Sequence, residues 1–427
     1  MKIIKILIIS EYFPPKIMGG GEISAYLLAK KLANLKNDGQ DALKVSVLTS
    51  YFLGLKKFEI KDKIKIHRTL ETGENPESFL SNIKRSLLFE KSLLKELEKL
   101  NKKENFDIIH CMNMTSIPAV KLKANKKATK SKFVVHINSP LAMCPKGDLI
   151  YKNNSCSGNC EYKKFIECVS SSKELGKVKN RFYIRYNPIL LKIAYNKYQE
   201  LKLLVSKFDS QIVISNYLKE NLKGQITQKI NVVPNIIELD DFINLKEKTS
   251  NKSPRTLFLG IYNIAKGPQI LIEALKKTDY AADFYGYGPL KEYLIEKKKE
   301  YGLKKANIHD KVPYNNIPEL YETHDIIVFP SVWPEPFGRI AIEAMASSRA
   351  IVASDIGGIK DIIKNNKTGI LVKPNDAKEL KKAIEKLMKD KKLREKLGKE
   401  GRKDAIKRYD GKIIAEQVKK IYLALLK

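Results

Sequence analysis

Short apolar runs alternate with longer amphipathic stretches along most of the chain. The first run, residues 3–9, is continuous and rich in isoleucine. Similar runs predict further strands at 45–50, 64–67, 106–113, 132–138, 208–214 and 229–234. Between them, apolar residues recur with the helical period, as in 77–100. Continuous apolar strands joined by helices are typical of parallel sheets covered on both faces. The pattern therefore predicts an α/β fold.

The alternation of strands and helices pauses once and then resumes. The pause is the polar stretch 245–255, which is typical of a surface linker. A second series of strands and helices follows, and an amphipathic segment, 412–426, ends the chain. A chain of 427 residues is long enough for two full cores. We therefore expect a first domain over 1–235, a second over 236–408, and a final helix, 409–427, that packs back on the first.

Residues 139–170 interrupt the pattern and carry four of the five cysteines. These are Cys144, Cys156, Cys160 and Cys168. A stable disulfide is not expected in a reducing cytosol. The spacings are not those of a common zinc finger or ribbon, so a structural zinc ion and free buried thiols both stay open as interpretations.

The segment 173–207 is basic and amphipathic. It holds nine Lys or Arg residues against two Glu, with aromatic and aliphatic residues interleaved. Such a stretch can lie on an anionic bilayer. An ordinary helix with solvated lysines would show the same pattern, and the sequence alone does not separate the two.

The net charge of +32 bears on partners and location. Arginine is scarce beside lysine, and neither clustered arginine nor a recognisable nucleic-acid-binding module is present, so nucleic acid is not an expected partner. An anionic membrane surface is the expected use of the excess charge. The apolar part of the first residues is too short for a signal peptide. We expect a cytoplasmic protein, with peripheral contact to the inner face of the membrane as one location.

Two carboxylates eight residues apart, Glu335 and Glu343, flank the start of a predicted helix. Pro334 and Pro336 disfavour helix before it, and apolar residues take the helical period from Gly338 onward. A helix start offers free N–H groups and a partial positive charge. The carboxylates can accept hydrogen bonds from hydroxyls. The stretch therefore favours an anionic or polyhydroxyl ligand.

Glycine-containing loops follow three predicted strands. Gly20 and Gly21 precede the first helix, Lys266 stands before a glycine in the second half, and Gly288 follows another strand. Glycine lets backbone N–H groups approach a phosphate, and lysine neutralises it as a point charge. The spacing matches neither a dinucleotide-binding fingerprint nor a P-loop.

Polar residues also stand at two strand ends in the first half, namely His110, His136 and Asn138. Ligands of open α/β sheets bind at the carboxyl ends of strands. These residues are therefore candidates for a cleft, although each histidine can equally be a buried structural side chain.

Taken together, these stretches resemble the retaining glycosyltransferases of family 4, also called glycosyl transferases group 1. The resemblance is carried by EPFGRIAIE at 335–343, FLGIYNIAKGPQILIEAL at 258–275, YGYGPLKEYL at 285–294, PELYETHDIIVFPS at 318–331 and SEYFPPKIMGGGEISAYLLAKKLA at 10–33. It implies the GT-B fold, in which two Rossmann-like domains face each other across a cleft.

The resemblance also implies an activity and its substrates. A sugar would pass with retention from a nucleotide diphosphate sugar to the hydroxyl of a glycan or lipid-linked acceptor, in cell-surface glycan or glycolipid synthesis. No cofactor and no metal ion would be required.

By the same resemblance, individual residues take individual roles. Glu335, with the backbone of Phe337 and Gly338, would hold the donor sugar. Glu343 would bind the nucleotide ribose, and Lys266 would bind the diphosphate. In the other half, Gly20 and Gly21 would lie near the donor phosphate and the acceptor. Gly288 is a further expected donor contact.

Two places depart from the family pattern. The family usually has an arginine on the diphosphate where this chain has Ile261. The first-domain residue that faces the donor sugar falls on Asn138 in one alignment and on His136 in another. Because these contacts are altered, a non-catalytic protein that binds sugar nucleotides or serves as a scaffold is the alternative to an enzyme.

Overall fold

The computed structural model describes residues 3–35, 42–73, 79–125, 129–142, 144, 149–152, 154–156, 158, 160–170, 187–223, 229–245 and 253–427. The chain divides into two compact units. Unit 1 comprises Met1–Ile236 with Gly411–Lys427, and unit 2 comprises Ile237–Asp410. Each unit is built on a parallel sheet with helices, so the predicted α/β class is confirmed.

Unit 1 contains an eight-stranded sheet and a small two-stranded one. The strands are β1 Ile3–Ile9, β2 Ala42–Ser50, β3 Phe58–Lys61, β4 Ile64–Leu70, β5 Ile108–Cys111, β6 Lys132–Ile137, β7 Ile150–Tyr151, β8 Asn154–Ser155, β9 Ser210–Val213 and β10 Ile230–Val232. The order in the large sheet is β10-β9-β6-β5-β1-β2-β4-β3, and only the β3–β4 pair is antiparallel. The strand order reverses at β1. Ligands of doubly wound sheets bind at such a point, beyond the carboxyl ends of the strands.

The described part of unit 1 before residue 236 contains five α-helices. They are α1 Gly20–Ala33, α2 Phe79–Glu104, α3 Tyr162–Ser170, α4 Pro188–Val205 and α5 Asn216–Leu222. Ser215 caps α5, as its hydroxyl accepts a hydrogen bond from the Leu218 amide at 3.2 Å. Satisfying a free N–H group in this way is what fixes where such a short helix begins.

Unit 2 contains one fully parallel sheet of six strands. They are β11 Arg255–Ile261, β12 Ala281–Tyr287, β13 Ala306–His309, β14 Ile326–Phe329, β15 Ala350–Ser354 and β16 Ile370–Val372, in the order β13-β12-β11-β14-β15-β16. Its helices are α6 Asp240–Ile243, α7 Pro268–Ala274, α8 Lys291–Glu300, α9 Ile317–Thr323, α10 Arg339–Ala346, α11 Ile359–Ile362, α12 Ala377–Lys389 and α13 Lys391–Tyr409.

The sheet of unit 2 has an apolar core on each face. Because side chains alternate along a strand, Phe258 points into one core, while Leu257 and Leu259 point into the other. Strands β11 and β14 are neighbours in this sheet, although about 70 residues separate them in the chain. The loops that follow these two strands therefore lie side by side, and they carry Lys266 and Glu335.

Asp283 on β12 is a buried carboxylate that ties three strands together. It is 1% exposed, and it accepts hydrogen bonds from Arg255 on β11 and Asn307 on β13. His309 and His324 contact it at 3.0 and 3.1 Å. Burial alone would raise its pKa, but these hydrogen bonds outweigh burial and hold the pKa well below its usual range. Asp283 is therefore a structural group and is not available as a proton donor or acceptor.

The last helix, α14 Gly411–Leu426, belongs to unit 1. Its residues Ile414, Val418 and Tyr422 are buried in the same core as Leu27 and Leu28 of α1. The return of the final helix to the first unit was expected from the sequence, and the structure confirms it. Within the described part of the chain, every helix is too short or too polar to cross a bilayer.

Candidate functional site

The structure brings Lys266 and Glu335 into direct contact. The Lys266 ammonium contacts the Glu335 carboxylate, and the same carboxylate oxygen accepts a hydrogen bond from the Ser331 hydroxyl at 2.8 Å. Glu335 is 7% exposed, so water screens this pair weakly. The Lys266 ammonium also lies 5.3 Å from the centre of the Trp333 ring. A cation and a carboxylate are thus held together at the ends of two neighbouring strands.

The loops that carry this pair are fastened to one another by backbone hydrogen bonds. The carbonyl of Ala265 accepts from the amides of Val332 and Trp333 at 2.9 and 3.2 Å. The loop that carries Glu335 is also held by Gly358, whose amide donates to the Glu335 carbonyl at 2.7 Å. The backbone on both sides of the ion pair is therefore fixed, which pre-organises a site for a ligand.

Two glycines permit close approaches near this site. Gly267 has a φ of +74°, and a Cβ there would lie 1.8 Å from the Pro330 carbonyl oxygen, so only glycine lets the Lys266 loop pack against the end of β14. Gly288 has a φ of +142°, and a Cβ there would lie 2.6 Å from the Tyr262 carbonyl oxygen. Backbone packing therefore accounts for Gly288, and its contact with a donor stays a prediction.

Glu343 lies inside α10 and is held by two tyrosines. It is 1% exposed, and its two carboxylate oxygens accept hydrogen bonds from the hydroxyls of Tyr314 at 2.9 Å and Tyr321 at 3.2 Å. Burial raises the pKa of Glu343, against the opposing effects of Arg339 and the two tyrosines. The tyrosines were not identified from the sequence, because neither stands in a distinctive pattern.

A cavity of about 230 Å³ opens beside Glu343. Its walls include Ile261, Tyr287, Lys311, Tyr314, Arg339 and Glu343. Lys266 and Glu335 do not line this cavity. Unit 2 therefore presents two adjoining features, the ion pair at the loops and the cavity beside α10.

Phe337 and Gly338 connect the ion pair to α10. Gly338 is the N-cap of this helix. The ring of Phe337 packs edge to face on Tyr409, with ring centres 6.2 Å apart, and against the core of unit 2. Its side chain is thus used for packing. The backbone N–H groups at the helix start remain as the part that suits an anion.

The glycine loop of unit 1 forms the start of α1. Gly20 is the first residue of the helix, and the amide of Gly19 donates to the Glu22 carboxylate at 2.7 Å. A Cβ added at Gly21 would meet no atom within 4 Å. Packing therefore gives no reason for glycine at position 21. The predicted ligand contacts of Gly20 and Gly21 remain predictions.

The structure places His136 and Asn138 at the carboxyl end of β6 in different surroundings. His136 is 2% exposed and stacks on His110, with ring centres 5.6 Å apart. Burial lowers the pKa of His136 to about 4 and holds that of His110 well below its usual value, so both rings are neutral at pH 7. Asn138 is half-buried and donates to the Met112 carbonyl at 2.8 Å, and within the described residues its side-chain oxygen has no hydrogen-bond partner. The choice between His136 and Asn138 as the donor-facing residue stays open.

The cysteines of the segment 139–170 are not joined by disulfides. Cys144, Cys160 and Cys168 are buried, and burial raises the pKa of the Cys160 thiol to about 11. Across the described residues, no group of three or more His, Cys, Asp or Glu side chains is arranged to hold a metal ion. The zinc interpretation therefore gains no support. The geometry agrees with buried thiols.

Two family models match the chain almost from end to end. The model for Glycosyltransferase Family 4 matches residues 18–241, which is more than half of the chain, and the model for Glycosyl transferases group 1 matches residues 240–404. The candidate residues Lys266, Glu335 and Glu343 lie in the second match, whereas Gly20, Gly21, His136 and Asn138 lie in the first.

Individual relatives agree with these models. The chain is 28% identical over 230 residues to the uncharacterized glycosyltransferase MJ1607 of Methanocaldococcus jannaschii, a match of 49% of this chain and 59% of that relative. It is 35% identical over 107 residues to the capsular polysaccharide biosynthesis glycosyltransferase CapM of Staphylococcus aureus, over 25% of this chain and 28% of CapM. The matches therefore span about 60% of the first relative and less than a third of the second.

A solved structure of similar fold extends over nearly the whole chain. It is Anabaena Alr3699/HepE in complex with UDP and glucose, with a TM-score of 0.65 and 17% identity over 99% of this chain and 100% of that one. At this identity the likeness concerns the fold alone. Together with the family matches, it shows that the chain is a member of glycosyltransferase family 4, the group 1 glycosyl transferases, and has the GT-B fold.

Proposed function

We propose that the protein transfers a sugar from a nucleotide diphosphate sugar to an acceptor hydroxyl, with retention at the anomeric carbon. The observation that carries this proposal is the buried contact between Lys266 and Glu335, next to the helix that bears Glu343. A lysine suits a phosphate and a carboxylate suits sugar hydroxyls. In a nucleotide sugar the diphosphate is bonded directly to the sugar. A lysine next to a carboxylate therefore suits the phosphate and the adjoining sugar hydroxyls.

Glu343 suits the ribose of the same donor. The hydroxyls of Tyr314 and Tyr321 each occupy one of its carboxylate oxygens and so fix the orientation of the carboxylate. Each oxygen retains a second lone pair that can accept from a ribose hydroxyl. The cavity beside Glu343 would then receive the nucleoside. The relative Alr3699/HepE was solved with UDP and glucose, which supports a donor of this class.

When a donor binds, Lys266 and Glu335 would exchange partners. The ammonium turns from the carboxylate to the diphosphate, and the carboxylate turns to hydroxyls of the sugar. As the bond between the sugar and the diphosphate breaks, negative charge grows on the departing phosphate. A lysine held in place beforehand stabilises that charge at little cost in reorganisation. Positioning and electrostatic stabilisation would therefore supply most of the catalysis.

The acceptor class follows from the relatives. CapM is a glycosyltransferase of capsular polysaccharide biosynthesis, which supports a role in cell-surface glycan or glycolipid synthesis. We infer a glycan or lipid-linked acceptor, bound by unit 1, and a cytoplasmic site of action. A non-catalytic sugar-nucleotide-binding protein of the same fold is the alternative, and it is favoured by the isoleucine at position 261.

A donor screen tests the proposed function. Trp333 is the only tryptophan of the chain, and it lies against Lys266. A bound nucleotide sugar should therefore change its fluorescence. The same donor at about 100 times its Kd should raise the free energy of unfolding by about 2.7 kcal/mol. UDP-, GDP- and ADP-sugars are the probes, and mass spectrometry detects transfer or slow donor hydrolysis. Binding without any product would favour the non-catalytic alternative, and no binding by any of them would reject the proposal.

We also propose that unit 1 contacts an anionic membrane surface through α4. Residues 173–186 of the basic segment lie outside the described residues, but α4 is described. Its side chains Ile189, Ile193 and Leu203 are 69%, 46% and 65% exposed. At helical spacing they share one side of α4 with the exposed Lys192. Exposed apolar residues beside lysines are typical of helices that lie in the interface of a bilayer.

Vesicle flotation tests the membrane contact. The protein should float with vesicles that contain phosphatidylglycerol, float less with pure phosphatidylcholine, and dissociate as salt is raised. Replacing both Ile189 and Ile193 by serine should weaken flotation. Replacing the exposed Leu53, which is 96% exposed in a loop after β2, is the matched control. Flotation that depends neither on lipid charge nor on the substitutions at Ile189 and Ile193 would contradict the proposal.

A further inference from the structure

The walls of the cavity beside Glu343 carry two basic side chains that the proposed donor contacts do not use. Ile261, where the family resemblance implies an arginine, is 37% exposed and lines the cavity. A diphosphate carries at least two negative charges, and Lys266 alone would face it from the loop side. The walls of the cavity provide two further cations, Arg339 and Lys311.

Arg339 is held in position from two sides. It is the first residue of α10, and its Nε lies 3.6 Å from the Glu343 carboxylate. Its guanidinium carbon lies 5.4 Å from the centre of the Tyr314 ring. The side chain is 22% exposed. An ion pair on one edge and an aromatic ring on one face leave the guanidinium plane little freedom to turn.

One nitrogen of this guanidinium lacks a partner. Nη2 of Arg339 is buried, and within the described residues it donates no hydrogen bond. Leaving a buried donor unsatisfied costs free energy, and more so for a charged group. In a protein this arrangement is typical of a site where a ligand supplies the missing acceptor. The acceptor that suits a guanidinium best is an oxygen of a carboxylate or a phosphate.

Lys311 is the competing cation and fits less well. Its side chain is exposed, and its ammonium lies 5.1 Å from the centre of the Tyr287 ring. A solvated ammonium on a flexible stem loses side-chain entropy when it binds, and it has no fixed direction. Arg339 is already oriented and partly desolvated, so its contact with an anion would be the stronger of the two.

We propose that Arg339 binds a phosphate oxygen of the donor's nucleoside diphosphate through Nη2, and so supplies the charge that Ile261 does not. Arg339 and Lys266 then clamp the diphosphate from the cavity and from the loop. This inference rests on the proposed function and assigns it a further binding residue. It places the compensating cation on α10, one turn before Glu343, instead of on β11.

The test compares binding of a nucleoside diphosphate with binding of the matching nucleoside. UDP, GDP and ADP are titrated into the full chain, and the tightest of them is paired with its nucleoside in isothermal titration. Arg339→Ala should weaken the diphosphate about 10- to 100-fold, as expected for a lost hydrogen bond between charged groups. The nucleoside should bind the variant as it binds the wild type. Arg339→Gln, which keeps most of the side-chain volume, should show the same selective loss.

A rescue variant and a control complete the design. Ile261→Arg in the Arg339→Ala background places a charge back on the cavity wall and should restore most of the diphosphate affinity. Lys305→Ala removes a positive charge from an exposed ion pair with Asp279 and should leave both ligands unaffected, because Lys305 stands at the amino end of β13 and the cavity lies beyond the carboxyl end. Thermal unfolding of each variant confirms that it is folded.

Several outcomes would overturn the inference. One is an equal loss for the diphosphate and the nucleoside, which would mean that Arg339 acts through Glu343 and Tyr314 and not on phosphate. A diphosphate-selective loss in Lys311→Ala, with none in Arg339→Ala, would assign the role to Lys311. A double variant that binds as weakly as Arg339→Ala would also contradict it. If the wild type binds no nucleoside diphosphate at all, the proposed function itself fails, which is a different result from unchanged binding in Arg339→Ala.

Discussion

Replacing Glu335 by glutamine is expected to lower kcat/KM about 100- to 1,000-fold, the usual effect of removing one charge-stabilising group from an active site. The amide keeps the shape of the side chain and can still accept from the Ser331 hydroxyl. It cannot neutralise Lys266, and it accepts more weakly from sugar hydroxyls. Because Glu335 would contact the transferred sugar, the loss should fall on both kcat and KM for the donor sugar. Binding of the free nucleoside diphosphate should change little.

Steady-state kinetics with the donor found in the screen measure this effect. Glu292→Gln is the matched control, because it removes one carboxylate from the first turn of α8 in the same unit. That variant should keep the activity of the wild type. An unchanged kcat/KM in Glu335→Gln would remove Glu335 from the site. A loss of the same size for binding of UDP or GDP alone would place Glu335 on the nucleotide instead of the sugar.

The parts of the fold that were predicted correctly are those in which local pattern and tertiary structure agree. Strand β1 matches the predicted run 3–9, since nearly all of its residues are apolar and favour a buried strand. Helix α12 lies in the predicted second series of strands and helices, and there too the local signals agree, because Asp376 caps it and its apolar face is regular. Strand β3, Phe58–Lys61, was missed. It is short, half of its residues are charged, and it owes its existence to pairing with β4.

The sequence nominated candidate site residues but did not predict the contacts between them. Resemblance to a family placed Glu335, Glu343 and Lys266. No local pattern indicates that Lys266 and Glu335 touch, because 69 residues separate them and the contact depends on β11 lying beside β14. The tyrosines that orient Glu343 were missed for the same reason. Long-range contacts follow from strand order, and strand order is a property of the whole sheet.

Arg339, with its unpartnered nitrogen, is a second example of a feature that could not be predicted from the sequence. The sequence identified the missing arginine at position 261, because one position can be compared with a family pattern. It gave no indication of a substitute, since no local pattern links the first residue of α10 to position 261. Only the geometry of the cavity, where Ile261 and Arg339 share a wall, connects the two positions. A substitution at one site can therefore be offset by a residue that is distant in sequence.

Replacing Lys266 by methionine is expected to lower kcat about 100- to 1,000-fold with a smaller rise in KM. Methionine keeps an unbranched apolar stem against Trp333 but carries no charge. The negative charge on the diphosphate is larger in the transition state than in the bound donor, because the bond to the sugar is breaking. An ammonium at this position therefore stabilises the transition state more than the ground state, and its loss falls mainly on kcat.

A double-mutant cycle with Glu335→Gln tests whether the two residues act as a unit. In the free protein they neutralise one another, so removing either leaves the other charge half-buried and unpaired. The double variant Lys266→Met/Glu335→Gln should therefore unfold at a higher temperature than Lys266→Met alone, while its activity should be no higher. Lys291→Met, which removes an ammonium from an ion pair on the surface of the same unit, is the control for charge. Additive effects on stability would mean that the contact in the structure contributes no coupling, and an unchanged kcat in Lys266→Met would mean that the leaving diphosphate is stabilised elsewhere.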